Sequence, residues 1–211
     1  RKMVGHIDNA VIFYHEPYAS SASEMVTELV QYFNEKIKIG RPEAEALLAG
    51  IMLDTKNFII KTGVRTFEAA AYLRKMGGDT VEGRKLFAST MEAYQRKAKL
   101  VANAQVYKGC AIAWSTERDD TEIQVTAAQA ADELLNISGV QASFLMFEQG
   151  KGVSYSARSM GQLNVQIIME KLGGGGHPTM AGAQTPGITM DEARQRLREA
   201  IDQYFEENSR K

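Results

Sequence analysis

Cysteine is almost absent, with Cys110 alone among 211 residues. A single thiol makes no internal disulfide and no thiolate cage for a metal, so packing must hold the fold, which suits a reducing compartment. Cys110 itself reads as a small core residue. Charge of one sign is missing too: 25 Lys and Arg stand against 26 Asp and Glu, for a formal charge of −1. No broad positive field favours duplex nucleic acid or an anionic lipid surface. No apolar run approaches the about 20 residues that span a bilayer, and the opening Arg1-Lys2-Met3-Val4-Gly5-His6 lacks a signal-peptide pattern. There is no internal repeat. What is present, 44% hydrophobic and 24% charged residues, is ordinary for a soluble globular protein of one large domain or two small ones.

The hydrophobic spacing predicts an α/β chain. Val11-Ile12-Phe13-Tyr14 reads as a buried strand ending at His15-Glu16-Pro17. Ser21 and Glu24 stand at capping-box spacing, and Met25, Val26, Leu29, Val30 and Phe33 recur at helical intervals. That helix, ending near Asn34 or Lys36, is expected to lay its apolar face on a sheet. Gly40-Arg41-Pro42-Glu43 opens a second helix ahead of Leu47, Leu48, Ile51 and Phe58. Helical patterns continue over 67–76, closed by Gly77-Gly78, and over 80 to about 102, where one polar side suits a helix between two lobes. This places a domain boundary near 98–106. Beyond it come a strand at 111–114, a helix over 123–136 and a hairpin of 143–147 with 153–158 about Gly150. A helix over 165–172, stopped by four glycines, and a closing helix over 190–205 complete the pattern.

Three features could carry chemistry. At 100° per residue, Leu47, Ile51, Asp54 and Phe58 fall within roughly 60° of one another, which puts a carboxylate in an apolar stripe. Such a group needs a partner: an ion pair with Lys56, Lys61 or Arg65, a cap, or a metal. The run Gly173-Gly174-Gly175-Gly176-His177 costs more backbone entropy than stopping a helix requires. Its unblocked N–H groups could wrap phosphate oxygens and His177 could donate to a phosphate or stack on a base, the alternative being a flexible connection. It has neither the trailing Lys-Ser/Thr of a Walker loop nor dinucleotide-fingerprint spacing. Arg158 ends a strand whose Val153, Tyr155 and Ala157 face one way, a place suited to an anion or simply to solvent. Asn164 either caps the next helix or meets a ligand. Ser20, Ser21 and Ser23 read as a helix cap, since no nucleophile elbow surrounds them. His6 and His15, beside Asp8 and Glu16, match no metal signature, and Lys36, Lys38 and Arg41 read as a solvated loop.

Five separated segments, in order, carry a resemblance. They are Glu16-Pro17-Tyr18-Ala19-Ser20-Ser21-Ala22-Ser23-Glu24, Ala49-Gly50-Ile51-Met52-Leu53-Asp54-Thr55-Lys56-Asn57-Phe58, Ser156-Ala157-Arg158-Ser159, Asn164-Val165-Gln166-Ile167-Ile168-Met169-Glu170 and Gly174-Gly175-Gly176-His177. With these the chain resembles the DHH phosphoesterase superfamily over nearly its whole length. It is most similar there to the C-terminal catalytic module of GdpP-type cyclic-di-AMP phosphodiesterases.

The resemblance implies an α/β architecture of two lobes with a cleft between them: residues 1–97 as the C-terminal part of a DHH domain with connecting helices, and 104–211 as a smaller, mixed-sheet DHH-associated domain that binds substrate. It implies two manganese ions and a metal-bound water or hydroxide as the attacking group, which leaves little covalent work to the protein. Asp54 then corresponds to the family's last metal-ligating aspartate, and Arg158, Asn164, Gly174, Gly175, Gly176 and His177 to residues that hold the nucleotide. No Asp-His-His occurs, and Arg1-Lys2 resembles the residues directly after that motif. The chain therefore reads as a fragment whose other ligands lie upstream, inactive by itself, since one carboxylate cannot hold two hard cations. The implied activity is manganese-dependent hydrolysis of cyclic-di-AMP to linear pApA in bacterial second-messenger turnover. The alternatives are an oligoribonuclease or pAp phosphatase of the same superfamily, or a non-catalytic nucleotide- or RNA-binding module. The expected partners are cyclic-di-AMP or a short linear dinucleotide, with homodimerisation left open and neither duplex nucleic acid nor membrane contact by this segment. The implied location is cytoplasmic, the family's full-length members carrying upstream membrane helices.

Overall fold

The computed structural model describes residues 9, 11, 13–33, 38–115, 117 and 122–209, without the side chain of Ser209. The chain divides into two compact units, Arg1–Ala88 and Ser89–Lys211. Expectations for His6, Ile12, Lys36 and the end of the first helix near Asn34 lie outside the described residues.

The described part of the first unit is helical: α1 (Ala22–Phe33), α2 (Arg41–Asp54), α3 (Val64–Lys75) and α4 (Thr80–Lys85). Its core is Ala44, Leu48, Ile51, Met52, Ala69 and Leu73, contributed by α2 and α3. The strand expected at 11–14 is not formed by its described residues. Phe13 and Tyr14 lie in irregular, partly exposed backbone, because no strand of this unit is there, among the described residues, to complete a ladder with them. Nor does α1 lie on a sheet. It turns Glu24 and Thr27 inward and leaves Val26, Leu29 and Phe33 exposed. The reason is local. A Cβ at Gly50 would come within 2.1 Å of Ser23 Oγ, so α1 approaches α2 through its small polar side rather than its apolar one.

Ser21 caps α1 as expected, its Oγ accepting from Glu24 N at 3.0 Å. The Glu24 carboxylate, 2% exposed, does not close the box on Ser21. It accepts instead from the Ser20 hydroxyl, from Ser20 N at 3.3 Å and from Thr66 Oγ1 at 2.6 Å. The start of α1 is thereby tied to the start of α3, where Thr66 Oγ1 also accepts from Gly63 N. Nearer the surface, Arg65 grips Glu28 through Nε and Nη2, both at 2.7 Å.

The second unit begins with α5 (Met91–Ala102), followed by β1 (Gln105–Tyr107), β2 (Cys110–Ser115), α6 (Ile123–Leu134), β3 (Ala142–Gln149), β4 (Gly152–Ser159), α7 (Val165–Lys171), β5 (Gly175–His177), β6 (Met180–Pro186) and α8 (Met190–Ser209). The single helix expected over 80–102 is two, because Thr90 Oγ1 accepts from Ala93 N and starts α5 afresh. Leu100 of α5 packs with Ala127, Ala131 and Leu134 of α6, so α5 belongs to the core of this unit.

The six strands form one sheet in the order β1-β2-β3-β4-β6-β5, with β2 and β3 parallel and the other pairs antiparallel. Strand alternation sorts the side chains onto two faces. Cys110, Ile112, Phe144, Met146, Val153, Tyr155, Ala157, Ala181 and Ala183 pack with Ile168, Met169, Leu197 and Ile201 of α7 and α8. Ala111, Ala113, Leu145 and Phe147 pack on the other face against α6. The sequence pattern missed β1, which is only three residues long, and β5 and β6, whose glycines, alanines and polar residues carry little β-propensity.

Burial pushes the Cys110 thiol up to about 12, in keeping with an inert core residue. Phe144 is fully buried, so Phe144→Ala is expected to destabilise the second unit by about 3–5 kcal/mol in urea titration. In the first unit, Arg65 holds the Glu28 carboxyl below its ordinary range against the opposing effect of burial. A lowered folded value contributes stability above the unfolded carboxylate pKa that is lost as pH falls through the folded value. Amide protection factors in α1 and α3, taken against the unfolded chain at the same pH, should therefore fall below about pH 4 by more in the wild type than in Arg65→Met.

Candidate nucleotide-binding site

The two faces of the sheet are not equally covered. α7 and α8 cover one, whereas on the other α5 reaches β2, and α6 rests on β3 and the near side of β4. The strip beyond it takes its side chains from the alternate positions of β4 and β6, and there Ser154, Ser156 and Arg158 lie beside Gly182 and Gln184. Gln124 and Ala128 of α6 wall one side, and Gly173 and Gly174 border the strip where α7 ends. The result is a polar cavity of about 620 Å³.

Arg158 is its cation. The side chain is 14% exposed, with Nε 3.6 Å from Asp132 Oδ1, beyond hydrogen-bond length. Nη1 donates to Ala157 O at 2.9 Å, and Nε is buried without a hydrogen-bond partner. Burial pulls the guanidinium below its ordinary range, and the Asp132 charge offsets this in part. A desolvated fork with unspent donors favours an anion. The strand-end position expected for Arg158 is thus occupied by a half-buried group against α6, not a solvated one.

The glycine run is not a loop throughout. Gly173 N donates to Glu170 O and Gly174 N to Met169 O, and Gly173 has φ +79°, a Schellman stop to α7. Gly175 to His177 then form β5, the edge strand beside β6. A Cβ at Gly174 would come within 2.1 Å of Gly182 O, and one at Gly176, where φ is +149°, within 2.6 Å of Met180 O. Chain geometry therefore demands glycine at 173, 174 and 176. A Cβ at Gly175 would meet nothing within 4 Å. The fold leaves that glycine unexplained.

Of the residues expected to hold a nucleotide, the cavity brings together Arg158 and Gly174; Gly175, Gly176, His177 and Asn164 do not line it. His177 is exposed, and its Nδ1 lies 3.0 Å from Thr179 Oγ1 in the β5–β6 turn. Asn164 caps α7, its Oδ1 accepting from Gln166 N at 3.0 Å, while its own N–H donates to Tyr204. Sequence reasoning missed Gln124, Gln149, Ser154, Ser156 and Gln184. The alternation of β4, used only for its apolar half, was the available signal for Ser154 and Ser156.

Asp54 differs from expectation. It closes α2 and is exposed, whereas Ile51 and Leu48 are buried, so it has no desolvation penalty to relieve. The stripe argument failed because the helix ends there. Thr55 Oγ1 donates to Ile51 O and accepts from Phe58 N, and Lys56, Asn57 and Phe58 all adopt positive φ. This left-handed turn directs the chain away immediately after the carboxylate. Among the described residues, no group of three or more His, Cys, Asp or Glu could hold a metal ion. Asp54 can supply one ligand and does not by itself fit two cations.

Residues 106–207 match the model of the DHHA1 domain. This part of the chain is a DHHA1 domain. The chain is 52% identical over 202 residues to the cyclic-di-AMP phosphodiesterase GdpP of Geobacillus thermodenitrificans, covering 95% of this chain and 30% of that protein. It is 45% identical over 208 residues to the cyclic-di-AMP phosphodiesterase PdeA of Listeria monocytogenes, covering 97% of this chain and 31% of that one. The resemblance to GdpP-type members of the DHH superfamily thus extends along the chain, which spans less than a third of these relatives' length. A crystal structure of an exopolyphosphatase-related protein from Bacteroides fragilis shares the α/β fold at a TM-score of 0.82 and 23% identity, covering 96% of this chain and 62% of that one. Among the described residues, no helix is long and apolar enough to cross a membrane.

The close approach of β5 to β6 generates a prediction for the DHHA1 glycines. Gly174→Ala should cost about 1–3 kcal/mol in urea titration, whereas Gly175→Ala should stay within about 0.5 kcal/mol of wild type. Equal losses at both positions would show that Gly175 also serves only the fold.

Proposed function

We propose that this chain is part of a phosphodiesterase that hydrolyses cyclic-di-AMP to linear pApA. In this reading the DHHA1 groove holds the dinucleotide and Asp54 contributes one ligand to a two-manganese site whose remaining ligands these residues do not supply. The observation that carries it is the groove: a polar strip of β4 and β6 bordered by α6, with the buried donor of Arg158 at one end. Similarity over 95% of the chain to a protein named for cyclic-di-AMP hydrolysis supports the substrate. A cytoplasmic location goes with an intracellular messenger.

Two bound divalent ions would lower the pKa of a coordinated water and neutralise the phosphoryl oxygens. The work of this chain's own residues is binding and orientation. Arg158 takes a phosphate by charge-assisted hydrogen bonds. The backbone of Gly174, Gly175 and Gly176 offers close approach, and His177 meets phosphate or base beyond the groove's edge. Asn164, its Oδ1 spent on the cap, holds the helix that leads into the glycine run.

Turnover by the full-length protein tests the reading. Cyclic-di-AMP should be cleaved to pApA in the presence of Mn²⁺. Asp54→Asn should abolish turnover yet retain ligand binding, and Arg158→Ala should weaken binding about ten-fold in calorimetry, the loss of hydrogen bonds to a charged group. Equal turnover of linear dinucleotide and pAp with none of cyclic-di-AMP would replace the proposed substrate by that of an oligoribonuclease or pAp phosphatase. Binding without hydrolysis of any of the three would leave a non-catalytic nucleotide-binding module.

A further inference from the structure

The end of the groove away from Arg158 carries a second polar group. Ser154 lies on the same face of β4 as Arg158, four residues away, or about 13 Å along the strand. That distance leaves room for a phosphate at one end and its base at the other. Gln184 of β6 stands directly across from Ser154 in the strand register. Gln149, the last residue of β3, completes the group: its Oε1 accepts from Ser154 Oγ at 2.8 Å and lies 3.5 Å from Gln184 Nε2. Ser154 is 5% exposed, so its hydroxyl is committed to this contact, whereas both glutamines are exposed.

These bonds orient the two amides. With Gln149 Oε1 engaged, its Nε2 is a free donor; with Gln184 Nε2 engaged, its Oε1 is a free acceptor. Neither atom has a hydrogen-bond partner among the described residues. A donor beside an acceptor matches adenine, whose ring nitrogen accepts while the adjacent amino group donates. Guanine presents its O6 acceptor where adenine presents the amino group, setting oxygen against Gln184 Oε1.

We infer that Gln149 and Gln184, oriented by Ser154, are specificity-determining residues that read the base of the bound nucleotide and select adenine over guanine. The inference rests on the reading of the groove as a dinucleotide site. Calorimetry of the 211-residue chain with linear pApA and linear pGpG tests it without requiring turnover. The wild type should bind pApA about ten-fold more tightly than pGpG, the discrimination of one good amide–base pair. Gln149→Leu/Gln184→Leu should reduce that preference to less than about two-fold. Arg158→Ala should weaken both ligands and keep the preference. Because both glutamines are exposed, the double variant should melt with the wild type; if it melts lower, Gln184→Met alone is read in the same way. An unchanged preference in a stably folded variant, or equal binding of both ligands by the wild type, overturns base reading and leaves the groove's assignment standing. Binding of neither ligand by the wild type overturns both.

Discussion

The site depends on one inequality, the coverage of the two faces of the DHHA1 sheet. Each strand sends alternate side chains to opposite sides. On the side of α7 and α8, every central strand contributes apolar residues to a continuous core. On the other side α5 and α6 pack on alanines, Leu145 and Phe147, and the strip of β4 and β6 beside α6 carries polar side chains instead. Ser154, Ser156, Arg158 and Gln184 are what the alternation leaves there. The same register that buries Tyr155 and Ala157 exposes the polar strip, so the core and the groove are one pattern seen from two sides.

That constraint also explains the glycines. A further strand joins this edge only if its backbone comes very close to β6, and three of the four consecutive glycines answer to the helix stop or to that approach. The backbone-entropy argument for a ligand therefore applies to one residue rather than to four. Gly175, with open space where its side chain would stand, is the position at which a ligand remains the better explanation.

The first unit rests on a different device. Its α1 is joined to α3 by a buried carboxylate that three donors satisfy, two of them hydroxyls. Burial without a cation is tolerable because hydrogen bonds stand in for water. Asp54, the carboxylate that drew attention, is the exposed one, and Glu24, which read as an ordinary cap, is the buried one. Helical periodicity places residues on a stripe but does not say where the helix ends or which stripe a neighbour covers.

Most helices, the β3–β4 hairpin and the apolar half of the sheet were legible in the amino-acid sequence, because hydrophobic spacing at periods of 3.6 and 2 is a local property. Five separated segments also carried the family resemblance. The irregular backbone at Phe13 and Tyr14, the break at Thr90, the edge strands β1 and β5 and the inner strand β6 were not legible in the same way. A short run of weak β-formers becomes a strand only when a neighbour supplies the ladder, and an apolar run without one does not. By itself the sequence determined most of the helices, the β3–β4 hairpin with its apolar face, and the candidates Asp54, Arg158 and the glycine run. Only the tertiary structure decided which strip of sheet stays bare, that Arg158 is desolvated within it, and that Gln149, Ser154 and Gln184 from three strands converge, since those outcomes depend on contacts between residues far apart in the chain.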